Sequence, residues 1–153
     1  MEINSQRAFK PGRQNPYIPD GPRDFFVYPV NLGSLAVGVT NTVIVPISSD
    51  SDFWLTSLSY QADIAAALQT DATRVIPLVT VQITDTGSGR QLLNAAAPLS
   101  TFMGTGDRPY RLVHPRMFAR RTSIQIQGTS YAVAGTVYAA CWLSLIGFKI
   151  YDQ

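Results

Sequence analysis

From Phe25 onward the apolar residues of this chain recur at every second position, and ahead of Phe25 they scarcely recur at all. A period of two places alternate side chains on opposite faces of an extended strand, which is the pattern of a half-buried β-sheet. The leader, residues 1–24, instead holds Arg7, Lys10, Arg13 and Arg23 among Pro11, Pro16, Pro19 and Pro22. Proline fixes φ and removes a backbone donor, and so few apolar groups bury too little surface to offset the entropy of ordering. The expected division is an extended basic arm over residues 1–24 and a folded body over residues 25–153.

Within the body, Phe25, Val27 and Pro29 alternate with Phe26, Tyr28 and Val30, and Val39, Val43, Val45 and Ile47 share a face opposite Thr40 and Thr42. A turn over residues 48–51 leads to a strand over residues 53–60. A long strand over residues 75–84 points Val79, Val81 and Ile83 inward, and residues 62–69, rich in alanine and free of Gly and Pro, are the one place that suits a short helix. Asp85-Thr86-Gly87-Ser88-Gly89 reads as a hairpin turn and Gly104-Thr105-Gly106-Asp107 as a loop. Ile124 and Ile126 alternate with polar neighbours before a turn near Gly128. The last strand, residues 137–151, is apolar on both faces as far as Phe148, as in a strand packed on both sides. About eight strands with hardly any helix predict an all-β, two-sheet sandwich of the jelly-roll type.

Composition narrows the functional classes. The 153 residues suit one domain, and 14% charged residues is low for a domain that stays solitary, so much of the surface is expected to pack on partners. A net charge of +2 is too small to argue for nucleic-acid binding by itself, although its distribution is uneven. Arg108, Arg111, Arg116, Arg120 and Arg121 cluster in sequence with His114, and arginine's planar fork suits protein carboxylates as well as phosphate. The single Cys141 excludes an internal disulfide and reads as a small buried hydrophobe. No apolar run is long enough to span a membrane, and the N-terminus lacks the apolar core of a signal peptide, so synthesis in a cytoplasm is expected.

Asp85-Thr86-Gly87 after a strand resembles the active-site loop of aspartic proteases, whose retroviral branch supplies one aspartate per subunit of a homodimer, with Leu145-Ile146-Gly147 imitating a second feature of that branch. Thr84 stands where that family has an apolar residue, and the same five residues make a good tight turn, which is the preferred reading. Asp50 and Asp52, with Asp63 or Asp71, offer oxygen ligands for calcium but match no ordered calcium loop. His114 has no second His or Cys to complete a zinc site. Trp54 and Trp142 suit sugar stacking, although Trp142 reads as core. No catalytic, cofactor-binding or metal-ligating residue is therefore expected.

Several phrases point further: Ser51-Asp52-Phe53-Trp54-Leu55, Gln69-Thr70-Asp71 leading into Arg74-Val75-Ile76-Pro77-Leu78-Val79, Ile83-Thr84-Asp85-Thr86-Gly87-Ser88-Gly89-Arg90, and Leu143-Ser144-Leu145-Ile146-Gly147-Phe148-Lys149-Ile150-Tyr151. Over residues 25–151 this pattern resembles small virion structural proteins of tailed bacteriophages, the jelly-roll decoration or cement proteins. The resemblance implies a non-enzymatic protein on the capsid surface that ties major capsid subunits together as a dimer or trimer, with no cofactor and no nucleic-acid or membrane partner. In that setting the arm, at most about 80 Å long when extended, reaches a neighbouring subunit. Arg7, Lys10 and Arg13 then meet acidic groups, Phe9 and Tyr17 anchor, and Phe25, Phe26 and Tyr28 pack on the partner or a second copy. The alternatives are a neck, collar or tail component, a self-assembling coat protein, a sugar-binding sandwich and the Asp85 protease dimer.

Overall fold

Alternation becomes structure only when each strand finds a partner for its backbone, and here nearly every strand does so by antiparallel pairing. The structure, a computed structural model, describes residues 21–151. The expectations for Arg7, Phe9, Lys10, Arg13 and Tyr17 lie outside those residues. The described strands, in chain order, are β1 (Arg23–Asn31), β2 (Leu35–Ala36), β3 (Thr40–Pro46), β4 (Ser51–Asp63), β5 (Arg74–Val75), β6 (Val79–Asp85), β7 (Arg90–Gln91), β8 (Ala97–Pro98), β9 (Tyr110–Phe118), β10 (Ser123–Ser130), β11 (Val137–Tyr138) and β12 (Ala140–Tyr151). A single helical turn, α1 (Leu99–Phe102), and a 3-10 turn at Asp71–Thr73 complete the elements.

One sheet runs β1-β12-β4, with β9 along the first half of β4 and β5 along its end; the other runs β3-β10-β6, with β7 and β8 sharing the edge of β6. Counting β7 and β8 as one interrupted strand and setting the short β2, β5 and β11 aside, the first long strand pairs the last, the second pairs the seventh and the third pairs the sixth. That nested order is a long antiparallel hairpin rolled into two sheets, which is the jelly roll. The fold is an all-β, two-sheet sandwich of this type.

The core lies between the sheets and confirms the alternation. Val45, Ile47, Val79, Val81, Ile83, Ile124 and Ile126 are all buried, while Ile44 between its inward neighbours is 62% exposed. Phe53 stacks on Phe118 at 6.4 Å and meets Tyr28 edge-on at 4.8 Å, filling the centre with aromatic area. Cys141 is fully buried beside Leu143 and Leu145, and burial pushes its thiol up to about 11.

Four expectations are corrected. Residues 62–69 form no helix: β4 continues to Asp63 because Ala62 and Asp63 pair with β12 on one side and β5 on the other, and two ladders outweigh alanine's helical preference. The strand expected over residues 75–84 breaks at Ile76-Pro77-Leu78, where Pro77 has no donor for a ladder and the chain crosses from the first sheet to the second. No turn occurs at Gly128, which lies within β10; a Cβ there would meet Leu32 Cδ1 at 2.7 Å, so glycine gives Leu32 its place in the core. The terminal strand is divided, β11 pairing with β2 and β12 with β1 and β4, and its outer face is only partly covered: Trp142, expected in the core, is 43% exposed.

Candidate functional site

Antiparallel strands gather their connections at two opposite ends, and the two ends of this sandwich differ in chemistry. The charged end collects the start of β1, the turn between β3 and β4, the β6-β7 hairpin, the turn between β9 and β10 and the end of β12. The apolar end collects residues 32–39, 64–78 and 131–139, with residues 104–109 beside them.

At the charged end the polar side chains bond one another. Asp52 accepts from the backbone N–H of Arg120 at 2.9 Å and from its Nε at 3.2 Å, bracing the β9-β10 turn against β4. Asp85, 5% exposed, accepts from the Gly87 N–H at 3.0 Å and from Ser88 Oγ at 2.6 Å, while Arg116 Nη2 lies 3.9 Å away. This is the turn chemistry of Asp-Thr-Gly-Ser-Gly in full, with Gly89 at a φ of +66°. Leu145-Ile146-Gly147 belongs to the other sheet, where Gly147 sits opposite the bulge of β4 at Thr56, against the Trp54 carbonyl.

Lys149 is the feature that reading the sequence missed. It is 6% exposed, its ammonium lies 3.6 Å from the centre of the Phe26 ring, and it donates to Ser48 Oγ at 2.8 Å. Ser48 Oγ in turn lies 3.3 Å from the Tyr28 hydroxyl. Phe26 and Tyr28, expected to meet a partner, therefore point inward and form the cage of this lysine. Phe25 points outward at 76% exposure. It stands in one register row with Phe148, Trp54 and Met117, an apolar band across the outer face of the first sheet. Trp54 is buried in that band by stacking on Phe148, whereas Trp142 is distant along β12, so the two tryptophans form no common sugar platform.

The carboxylates considered for a cation are not brought together. Asp50 and Asp52 lie at the charged end, Asp63 and Asp71 at the other end of β4, and the described residues hold no group of three metal-ligating side chains. Nor does the arginine cluster converge: Arg116 and Arg120 face aspartates, while Arg108, Arg111 and His114 are spread along β9 and the loop before it. His114 and Arg116 help to line a cleft of about 310 Å³ between the sheet edges, floored by Leu58, Ile83, Leu92 and Phe102.

The apolar end is tied by backbone and leaves its side chains outside. Tyr131 N–H donates to the Leu78 carbonyl at 2.9 Å, Leu78 N–H to the Tyr138 hydroxyl at 2.8 Å, and Gly38 N–H to the Ser130 carbonyl at 2.9 Å, which draws three distant segments into one surface. Asp63, 2% exposed, accepts from Ala65 N–H and Thr73 Oγ1 at 2.8 Å each and pins the loop after β4. Above this framework stand Val37, Val39, Ile64, Leu68, Ile76, Leu78, Tyr131, Val133 and Val137, all exposed. The signal was present in the sequence: no charged residue stands between Asp24 and Asp50, nor between Arg121 and Lys149, and both stretches traverse this end.

No known protein family and no curated protein matches the chain. Among solved structures, a chain from the cryo-EM structure of the virus-like particle of the giant freshwater prawn Macrobrachium rosenbergii extra small virus aligns over 100% of this chain and 97% of its own, at 14% identity and a TM-score of 0.34. At that level of similarity the likeness assigns no function.

Proposed function

We propose that this chain is a non-enzymatic structural protein of a virion, one that decorates the outside of a phage head and cements neighbouring major capsid subunits. The observation that carries this reading is the two-ended body: a β-sandwich in which Asp52 and Asp85 hold the turns at one end, and whose other end leaves nine large apolar side chains in solvent. Apolar exposure concentrated in one region marks a surface made for contact with protein. The phrases that resemble decoration proteins support the same reading, since they fall on the start of β4, the crossing from β5 to β6, the β6-β7 hairpin and β12.

The mechanism is mechanical. A protein that binds the expanded shell more tightly than its precursor stabilises that shell by mass action. Many symmetric copies make modest single contacts sufficient. β1 begins at the charged end, and in this reading the leader that precedes it supplies Arg7, Lys10 and Arg13 to acidic groups of the shell. Because Arg23 and Asp24 already belong to β1, the leader is tested without cutting the fold. The full chain with Arg7→Glu, Lys10→Glu and Arg13→Glu is mixed with purified heads that lack it, and binding is read by co-sedimentation. Affinity is expected to fall on the order of tenfold or more, about 1.4 kcal/mol; undiminished binding overturns the role given to the leader.

A further inference from the structure

We propose that the cleft between the two sheet edges binds a small amphipathic carboxylate, an unbranched acyl chain of medium length whose carboxylate pairs with Arg116. The proposal stands on the lining of the cleft and does not need the virion role.

The cleft opens where the first sheet ends at β9 and the second at β7 and β8. Leu58 and Ile83 of the core lie at its floor, with the half-buried Leu92, Phe102 and Leu112 around them. This lining is mostly aliphatic, and about 310 Å³ is at the small end of ligand sites. Neither wall suits an added strand. Between the pairs Arg111–Ser57 and Arg116–Leu55, residues 112–115 find no paired place on β4, and Pro115 among them has no backbone donor. On the other wall β7 and β8 have two residues each, and β8 ends in Pro98. Edges so short and broken give a peptide backbone little to pair with. A chain of methylenes needs no such pairing.

The polar part of the lining has one sign of charge. Arg116 and His114 stand there with Tyr110 and Gln91, and none of the lining residues is acidic. Asp85 is the carboxylate beside Arg116, but its Nη2 contact is 3.9 Å, longer than a hydrogen bond. The Asp85 oxygens already accept from the Gly87 N–H at 3.0 Å and from Ser88 Oγ at 2.6 Å. Among the described residues the Arg116 guanidinium therefore makes no hydrogen bond, and its planar fork is open to a second carboxylate held by two parallel bonds. An uncommitted cation beside a dry aliphatic floor is complementary to the two halves of an acyl carboxylate: Arg116 takes the charged head, and Leu58, Ile83, Leu92 and Leu112 take the tail.

The test is a nitrogen-15 NMR titration of the full chain with octanoate and, separately, with octan-1-ol, which has the same chain length and no charge. The amide signals of Leu92, Leu112 and Arg116 are expected to shift and saturate with octanoate, and octanol is expected to bind about tenfold more weakly. Arg116→Gln should weaken octanoate by about the same factor and leave octanol unchanged. Arg116→Lys, which keeps the charge without the fork, should fall between the wild type and Arg116→Gln, and it serves alone if the glutamine variant does not fold. Leu112→Trp fills the cleft and should abolish binding of both ligands, while Val133→Asp at the apolar end should change neither. No saturating shift at millimolar octanoate overturns the proposal. Octanol binding as tightly as octanoate, or octanoate binding that survives both Leu112→Trp and the Arg116 variants, overturns it as well. So do shifts confined to the apolar end and lost in Val133→Asp.

Discussion

Compare the β6-β7 hairpin at the charged end with the loops of residues 64–78 at the apolar end. In the hairpin, Asp85 satisfies two donors of Gly87 and Ser88 within its own turn and lies beside Arg116, and Thr86 Oγ1 bonds Ser123 across the sheet at 2.7 Å. Four residues, 86–89, close the connection and nothing large and apolar is left over. At the other end a longer connection is pinned by Asp63 and by the Tyr138 hydroxyl, and Ile64, Leu68, Ile76 and Leu78 are left outside. The length of that connection reflects the crossing between sheets. The side chains it exposes do nothing for the monomer. An end whose polar groups bond one another is complete alone; an end that strands apolar groups is complete only in company.

The comparison breaks or sharpens through substitutions at the two ends. Asp85→Ala removes the buried carboxylate that accepts from Gly87 and Ser88 and faces Arg116, so unfolding in denaturant is expected to show a loss of about 2 kcal/mol, in the range of hydrogen bonds to a charged group. The same position bears on the rival reading: Asp85→Asn is expected to alter stability without abolishing any cleavage of a co-expressed polyprotein, and lost cleavage would restore the protease. Tyr138→Phe deletes the acceptor for the Leu78 N–H and is expected to cost about 1 kcal/mol by the same assay. Smallest is Val133→Asp, at an exposed site where the side chain has no bonds to lose, and the stability should change by less than about 0.5 kcal/mol. If Tyr138→Phe proved more damaging than Asp85→Ala, the apolar end would be the better braced of the two and the contrast would fail.

How much of this was legible in the sequence depends on the kind of signal. Alternation in β3, β6 and β10 placed Val45, Val81 and Ile126 in the core correctly, because each inward position is fixed by a period of two and a single buried face. Asp-Thr-Gly-Ser-Gly gave its hairpin because turn chemistry is local. Residues 62–69 misled for the opposite reason: alanine's local preference lost to ladders formed with residues 140–141 and 74–75, which no local window contains. Trp142 misled because an apolar strand in the middle of a sheet was read as covered on both faces, while its outer face is open. Lys149 was invisible because its cage comes from Phe26, Tyr28 and Ser48, far away in sequence. The apolar end escaped notice because it is assembled from three separated segments, none of them conspicuous alone. Of the partner-facing residues expected near the leader's root, Phe25 faces outward and Phe26 and Tyr28 face the core.

The most direct measurement of the proposed role is the copy number of this chain in purified phage particles, by quantitative mass spectrometry against the major capsid protein. A cement protein is expected at one copy per capsid subunit or at a fixed simple fraction of that number. About a dozen copies per particle would contradict cementing and move the chain to the neck or tail, and absence from the particle would contradict a structural role in the virion altogether.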